Sequence, residues 1–405
     1  MAEPAFKPGF LPSLEGLRAV AAIGIIGTHV AFQTAHDTGA LWERVLGRFD
    51  FFVAVFFALS GFLLWRSHRA GGFGGQPPQI LPDGSRARGT WATYYRKRAA
   101  RILPAYWVLV VVVLLVFPVA AGAGWTAWLT NLTLTQVYFS NSLHGGLTHL
   151  WSLSVEVAFY VALPLFVILL RRTDPLRHQG RRILVISALA VASFAWVWLP
   201  LPYPDGVNSH IQPAAFFSWF AVGLILAELE SLAGNPNPAA RRRLEMIQQW
   251  ARFRWLWLLV AVGALVVAAL LGPPGLVEMS NWEFLRRQWC GLVFGAALIG
   301  PWALAPESQI LTTPVMQALG RWSYGIFLWH MALLSVAFPL LGIPIFDGHI
   351  IAVTLVTLAL TIPIAAASYA FVEEPARRWL GRHWAAPTKT RDVTQRSWSD
   401  QPASK

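Results

Sequence analysis

The residues with chemical reach in this chain sit inside apolar stretches, where ionisable groups are uncommon. In LEGLRAVAAIGIIGTHVAFQT, residues 14–34, Glu15, Arg18 and His29 interrupt a run otherwise suited to a membrane-crossing helix. A charge at the centre of such a helix costs roughly 2.5–3.5 kcal/mol on insertion scales, so it usually faces a partner or a wet cavity. Arg18 and His29 lie eleven positions apart. That is about three helical turns, which puts them on one face about 16 Å apart along the axis. A guanidinium at one depth and an imidazole at another suit a site that reads an anion and does proton chemistry further in. The plainer alternative is an arginine reaching for headgroups and a histidine hydrogen-bonded to a neighbouring helix.

Four further segments carry reactive side chains. FFALSGFLLWR, residues 56–66, pairs Ser60 with Gly61, a combination that lets helices pack closely and can also line a channel. YYRKRAARILPAYW, residues 94–107, places Arg98 and Arg101 on one face ahead of Pro104. Arginine suits phosphate because its planar fork engages two oxygens at once, although charge that merely sets topology is the simpler reading. WSLSVEVAFYVALPL, residues 151–165, aligns Ser152, Glu156 and Tyr160 at helical spacing. Glu156 and His29 fall at a similar depth, so a carboxylate orienting an imidazole base is expected; a proton relay or cation site is the alternative. RWSYGIFLWHMAL, residues 321–333, puts Ser323, Phe327 and His330 on one face, with Tyr324 beside Ser323. The later SYAFVEEPARRW brings Glu373 and Glu374 to where they can pair with Arg18, Arg98 or Arg101.

The elements that must position these groups follow from composition. Of 405 residues, 56% are hydrophobic and only 13% charged, and the mean hydropathy is +0.50. A soluble domain would carry nearer a quarter charged residues. The fold class is therefore all-α, a polytopic membrane protein with about ten transmembrane helices. The expected spans are 13–33, 49–66, 103–122, 150–170, 182–200, 213–231, 254–272, 287–304, 321–341 and 350–372, with the eighth the weakest. The first lacks a cleavage site and reads as a retained signal anchor.

Arginine and lysine crowd the segments after the second, fourth, sixth and tenth spans, whereas 123–149, 201–212 and 342–349 contain none. By the positive-inside rule both termini are cytoplasmic. Residues 1–12 then form a cytoplasmic N-terminus and 13–382 the membrane domain. That domain includes a Gly/Pro/Arg-rich cytoplasmic loop at about 66–100, and 383–405 form a disordered tail. The net charge of +12 is a consequence of this topology. It points to anionic lipid and phosphorylated cytosolic ligands, with no need of nucleic acid. The single cysteine, Cys290, excludes an intrachain disulfide and any cysteine-based metal centre, and no metal site is expected.

In order along the chain, LEGLRAVAA…H, FFALSGFLL, RILPAYW, WSLSVE-x-x-FY, SYGIFLWH and FVEEPARR resemble the motifs of the membrane acyltransferase type 3 family of bacterial O-acyltransferases. The likeness runs from about residue 11 to 382. It implies a ten-span fold in the bacterial inner membrane that moves an acyl group, commonly acetyl, from cytosolic acyl-coenzyme A. The acceptor would be a hydroxyl of an envelope glycan, glycolipid or secondary metabolite. The family's signature of an arginine followed by ten residues and a histidine falls on Arg18 and His29. There are departures: Glu15 stands where aspartate is usual, Val157 and Ala158 replace an acidic residue and a glutamine, and Phe327 replaces a common tyrosine.

The mechanism expected on that basis has Arg98, Arg101 and Arg18 holding the phosphates of acyl-coenzyme A, a donor substrate, with no permanently bound cofactor. His29 acts as general base on the acceptor hydroxyl and Glu156 orients it, while Ser152, Tyr160 or His330 stabilises the oxyanion. A covalent acyl-His29 relay is a second route. The competing class is a proton-coupled permease using Arg18, His29 and Glu156, but the broken helices and inverted repeats usual in such carriers are not evident.

Overall fold

The computed structural model describes residues 10–68, 79–80, 86–87, 91–170, 173, 177–273, 275 and 277–384. The expected tail from 385 onward and most of the loop at 69–90 lie outside the described residues. Within them the chain is helical: α1 (Pro12–Gln33), the short α2 (Leu41–Leu46), α3 (Phe52–His68), α4 (Trp91–Val116), the short α5 (Trp125–Leu132), α6 (Trp151–Leu170) and α7 (Gln179–Phe194). Then follow α8 (Phe217–Glu230), α9 (Pro238–Arg252), α10 (Arg254–Leu271), α11 (Asn281–Leu304), α12 (Pro314–Leu341), α13 (Ile350–Ser368) and α14 (Glu374–Trp384). A π-helical turn, Tyr369–Glu373, joins the last two. The described extended structure is one two-residue antiparallel pairing, Gln79–Ile80 with Arg86–Ala87.

Local sequence explains where the helices begin and end. Pro12 and Pro314 occupy first-turn positions of α1 and α12, where a missing N–H costs nothing. Ser280 caps α11, and the Glu283 side chain returns to the Ser280 N–H, a reciprocal capping box. Gly342 ends α12 at φ 67°, a left-handed conformation that suits glycine.

Among the described residues, nine helical stretches are long and apolar enough to cross a membrane. By composition α11, the expected eighth span, is not among them, because even its most apolar part keeps Arg287, Gln288, two tryptophans, Pro301 and glycines that lower its mean hydropathy. Its ends nevertheless match those of α10. Arg254 at the start of α10 donates to the carbonyl of Ala305, just past α11, and Arg48 ahead of α3 donates to Pro273, just past α10. Arg287 near the start of α11 pairs with Asp50 at the same level. α11 therefore traverses the same thickness as α10, and its polar start lies where α3 begins.

Helices α1, α3, α8 and α12 form the centre. In the most apolar window of the stretch containing α8, 72% of residues are buried, against 22% for the stretch running through α13 and α14. Leu115, Val116, Leu165, Leu184, Val191 and Leu259 remain exposed on the outer helices, as a lipid-facing surface requires. The seam between α3 and α8 depends on two glycines. A β-carbon at Gly61 would run into the Phe220 carbonyl, and one at Gly223 would run into the Ala58 carbonyl. Small residues let backbones approach where lipid supplies no hydrophobic drive for helix association.

Two elements differ from expectation. α4 starts at Trp91, twelve residues before the expected 103, so Arg98 and Arg101 sit two to three turns inside a helix. α9 is a charged helix carrying Arg241, Arg242 and Arg243, where sequence reading gave only a basic connection.

Candidate active site

Helices α1, α3, α4, α6 and α12 enclose a cavity. Its walls include Arg18, Ser60, Arg98, Arg101, Ser152, Glu156, Tyr160, Ser323 and Tyr324, all singled out from the sequence, together with the apolar ring of Phe327. The helical spacing anticipated on α6 is observed, since Ser152, Glu156 and Tyr160 all face this space. Ser60 does more than permit close packing. Its hydroxyl donates to the Glu156 carboxylate, and the Tyr160 hydroxyl donates to the same oxygen.

The cavity is rich in cations at one end. Arg18 is paired with Glu15 at 3.6 Å and lies in electrostatic reach of Arg101 and Glu156. Arg98 lies 6.0 Å from the centroid of the Tyr160 ring, and its buried Nε makes no hydrogen bond among the described residues. Arg101 is exposed. Three guanidiniums around one space, offset by Glu15 and Glu156, have the chemistry that suits a polyanion, because each fork can take two phosphate oxygens. Glu373, in the π-helical turn, lies in electrostatic reach of Arg101, Arg18 and Arg377, but its Oε1 makes no hydrogen bond among the described residues, so the expected ion pair is not formed there. Glu374 does not join it; its carboxylate pairs with Arg377 and with Arg378 on its own helix. Successive residues of a helix point about 100° apart, which is enough to send the two adjacent glutamates to different surroundings. Tyr324 is held by its hydroxyl donating to the Ile102 carbonyl at 2.8 Å, which locks α12 to α4 across the cavity.

The imidazoles form a separate cluster. His29 lies 5.2 Å from His330 and 6.4 Å from His149 between ring centroids, and His149 lies 4.6 Å from His330. His149 and His330 are buried, and His29 is partly so. The backbone fixes two of the rings. His330 Nδ1 meets the Phe327 carbonyl at 2.7 Å and His149 Nε2 meets the Leu328 carbonyl at 3.1 Å. A carbonyl only accepts, so each of those nitrogens carries the proton and the other ring nitrogen presents a lone pair. Phe327 stands between the two groups. It lines the cavity, and its ring centroid is 5.1 Å from that of His149 and 6.0 Å from that of His330.

This arrangement departs from the expected His29–Glu156 dyad. Equal depth on two helices does not fix which way each side chain faces. The Glu156 carboxylate faces the guanidiniums and its two hydroxyl donors, where a charge removed from water is compensated. The ring neighbours of His29 are His330 and His149. Sequence reading missed His149, which sits in the turn Thr148–Leu150 immediately before α6. A histidine two positions ahead of WSLSVE, at the start of an apolar helix, is the signal that was available.

Comparison with known proteins bears on the family of the chain. The chain is 24% identical over 400 residues to the acyltransferase MdmB of Streptomyces mycarofaciens, covering 92% of this chain and 93% of MdmB. It is also 24% identical to the O-acetyltransferase OatA of Staphylococcus aureus, over 93% of this chain and 58% of OatA. The peptidoglycan O-acetyltransferase OatA of Listeria monocytogenes matches at 24% over 91% of this chain and 56% of its own length. The chain thus spans less than two thirds of the OatA proteins. No solved structure matches significantly. A family model described as an acyltransferase domain matches residues 11–371. With that match covering nearly the whole helical bundle, the chain belongs to the acyltransferase family.

Proposed function

We propose that this membrane O-acyltransferase moves an acetyl group from acetyl-coenzyme A to a hydroxyl of an envelope glycan, a glycolipid or a small secondary metabolite. The observation that carries the reading is the juxtaposition of an arginine-lined cavity and a histidine cluster across the single ring of Phe327. The positive-inside rule turns the arginine-rich end toward the cytoplasm, where coenzyme A is found, in a bacterial inner membrane with both termini cytoplasmic. Arg98, Arg101 and Arg18 then hold the donor's phosphates, and its pantetheine arm extends between α4, α6 and α12 toward Phe327.

His29 is the general base. It takes the acceptor proton as the hydroxyl oxygen attacks the thioester carbon. Neutral imidazole suits this role because it accepts a proton near neutral pH and can return it to the leaving thiolate. Glu156 acts on the donor side, holding Tyr160 and balancing the arginines. Ser323, whose buried hydroxyl makes no hydrogen bond among the described residues, is the oxyanion candidate on the cavity wall, since the Ser152 hydroxyl donates to the His149 carbonyl at 3.0 Å. Because the Listeria relative is named a peptidoglycan O-acetyltransferase, peptidoglycan is among the acceptors to try first, alongside the small-molecule class.

The experiment is reconstitution of the purified chain in liposomes with acetyl-coenzyme A and a pool of envelope glycans and lipids. Free thiol and an acetyl-sized mass gain on one acceptor are expected to appear together. His29→Ala should abolish both while leaving the protein monodisperse in detergent. Near-normal transfer by that variant rules out the base assignment, and thiol release with no acylated product rules out the acceptor class.

A further inference from the structure

Helix α9 has three faces. Leu244 and Ala251 are buried, and the Gln248 side chain donates to the Leu304 carbonyl at 3.0 Å, so the first face is docked on the end of α11. Glu245, Gln249 and Arg252 are exposed on a second, polar face, where Arg252 pairs with Glu307 at 3.8 Å. The third face is apolar and uncovered: Met246, Trp250 and Phe253 are 55%, 61% and 49% exposed. At about 100° per residue it lies opposite Leu244, with Arg242 on one edge and Arg243 on the other. Both arginines are exposed, and neither guanidinium makes an ion pair among the described residues. An uncovered apolar face between two free cations needs a partner that is apolar and anionic at once.

The neighbours of α9 say which partner that is. α9 follows α8, whose Glu230 pairs with Arg66 at the end of α3 at 2.8 Å, and the His68 and Tyr94 rings, 5.1 Å apart, bring the start of α4 to the same level. α9 thus sits at the arginine-rich end of the bundle. Its uncovered face runs on into α10, where Trp255, Leu258, Leu259 and Val262 are exposed as a lipid-facing surface. The Trp250 and Phe253 rings are 5.8 Å apart, and Trp257 Nε1 donates to the Trp250 carbonyl at 2.9 Å, so aromatic side chains mark the join. Tryptophan at such a level is characteristic of the boundary between headgroups and acyl chains. We propose that α9 lies in the headgroup layer at this end and binds anionic phospholipid, with Arg242 and Arg243 on the headgroups and Met246, Trp250 and Phe253 among the upper acyl carbons. Two unneutralised guanidiniums favour a net-negative headgroup over a zwitterionic one, whose own ammonium cancels its phosphate. α14, the other basic helix that ends a span, differs in this respect, because Arg377 and Arg378 are neutralised by Glu374.

Cys290 is the single cysteine of the chain, so one substitution frees the sequence for site-directed labelling. In a Cys290→Ser background, Met246→Cys and Glu245→Cys each receive a bimane fluorophore, and the full chain is reconstituted in phosphatidylcholine vesicles. The label at 246 should be quenched by brominated lipid and shielded from aqueous iodide, and the label at 245 should show the reverse. Brominated phosphatidylglycerol should quench the label at 246 at about tenfold lower mole fraction than brominated phosphatidylcholine, the scale expected of two arginines at an anionic surface. Adding Arg242→Gln with Arg243→Gln should bring that ratio to about one while leaving the shielding from iodide in place. Both arginines are exposed and stand apart from the cavity, so the double variant should keep the wild-type melting temperature in detergent. Iodide quenching equal at 245 and 246 would put the apolar face in water and overturn the proposal. Equal quenching by the two brominated lipids, or a preference unchanged by the double variant, would overturn the headgroup assignment. Protection of the label at 246 from both quenchers that grows with the ratio of protein to lipid would place a second copy of the chain on this face instead of lipid.

Discussion

Ser60 on α3 and Tyr160 on α6 both donate to one oxygen of the Glu156 carboxylate. Those contacts tie α3 to α6 on the wall of the arginine-lined cavity and keep a negative charge where Arg18 and Arg98 need one. Glu156→Gln removes the charge at nearly constant volume. It should lower turnover by about tenfold or more, the scale of roughly 1.4 kcal/mol in the barrier, and lower the melting temperature in detergent. Ser60→Ala deletes one of two donors and should have a smaller effect in the same direction. Kinetics with acetyl-coenzyme A and thermal unfolding of the two variants check the order.

Arg98 and Arg101 should govern donor binding. Removing a fork that grips phosphate in both ground and transition states raises KM while sparing kcat. Arg98→Ala and Arg101→Ala are each expected to raise KM for acetyl-coenzyme A by about tenfold, with Arg98→Lys recovering only part because a point charge cannot make two parallel bonds. The binding of coenzyme A itself should weaken in the same variants. If KM is unmoved and kcat falls, the arginines act on the reacting centre and the cradle assignment fails.

Much of this arrangement is legible in the sequence. The apolar periods of α1, α6 and α12 place Arg18, Glu156 and Ser323 on faces that do meet around one cavity. Charged helix starts are harder to read. YYRKR looks like connecting loop because its arginines and lysine satisfy the positive-inside rule equally well in either form. α9 is hidden for the same reason. The partner of Glu156 is not legible, because spacing along a helix fixes depth but not the neighbour across the interface. His149 escapes because it precedes the helical period and gains its place only when the turn before α6 packs on α12.

Phe327 should set which acyl groups pass between cavity and imidazoles. Its ring packs near Phe56 as well as His149, so the passage is bounded by two aromatic side chains. Phe327→Leu opens that boundary with less loss of packing than truncation to alanine, which typically costs about 3–5 kcal/mol in a core. The ratio of butyryl to acetyl transfer, measured as kcat/KM for the two coenzyme A esters, should rise in Phe327→Leu. An unchanged ratio would place acyl selection elsewhere.

Away from the site, Arg182 and Glu228 form a buried ion pair at 2.8 Å between α7 and α8, with side chains 1% and 0% exposed. Trp65 Nε1 donates to the same Glu228 oxygen at 2.6 Å, and Arg182 also donates to the carbonyls of Leu170 and Thr173 at 3.2 Å. The pair thus joins α3, α7, α8 and the end of α6 at a single point. Breaking a buried pair by removing one partner strands the other charge, at a cost of about 3–5 kcal/mol, whereas replacing both by apolar residues is often neutral. Glu228→Gln should therefore lower the melting temperature sharply, and Arg182→Met with Glu228→Leu should recover much of the loss. The cationic guanidinium 5.3 Å from the Trp65 ring centroid makes recovery incomplete, because the double variant also loses that contact. Thermal unfolding of the single and double variants in one detergent decides the matter. A double variant no more stable than Glu228→Gln would mean that the hydrogen bonds to Leu170, Thr173 and Trp65, rather than the stranded charge, account for the stability.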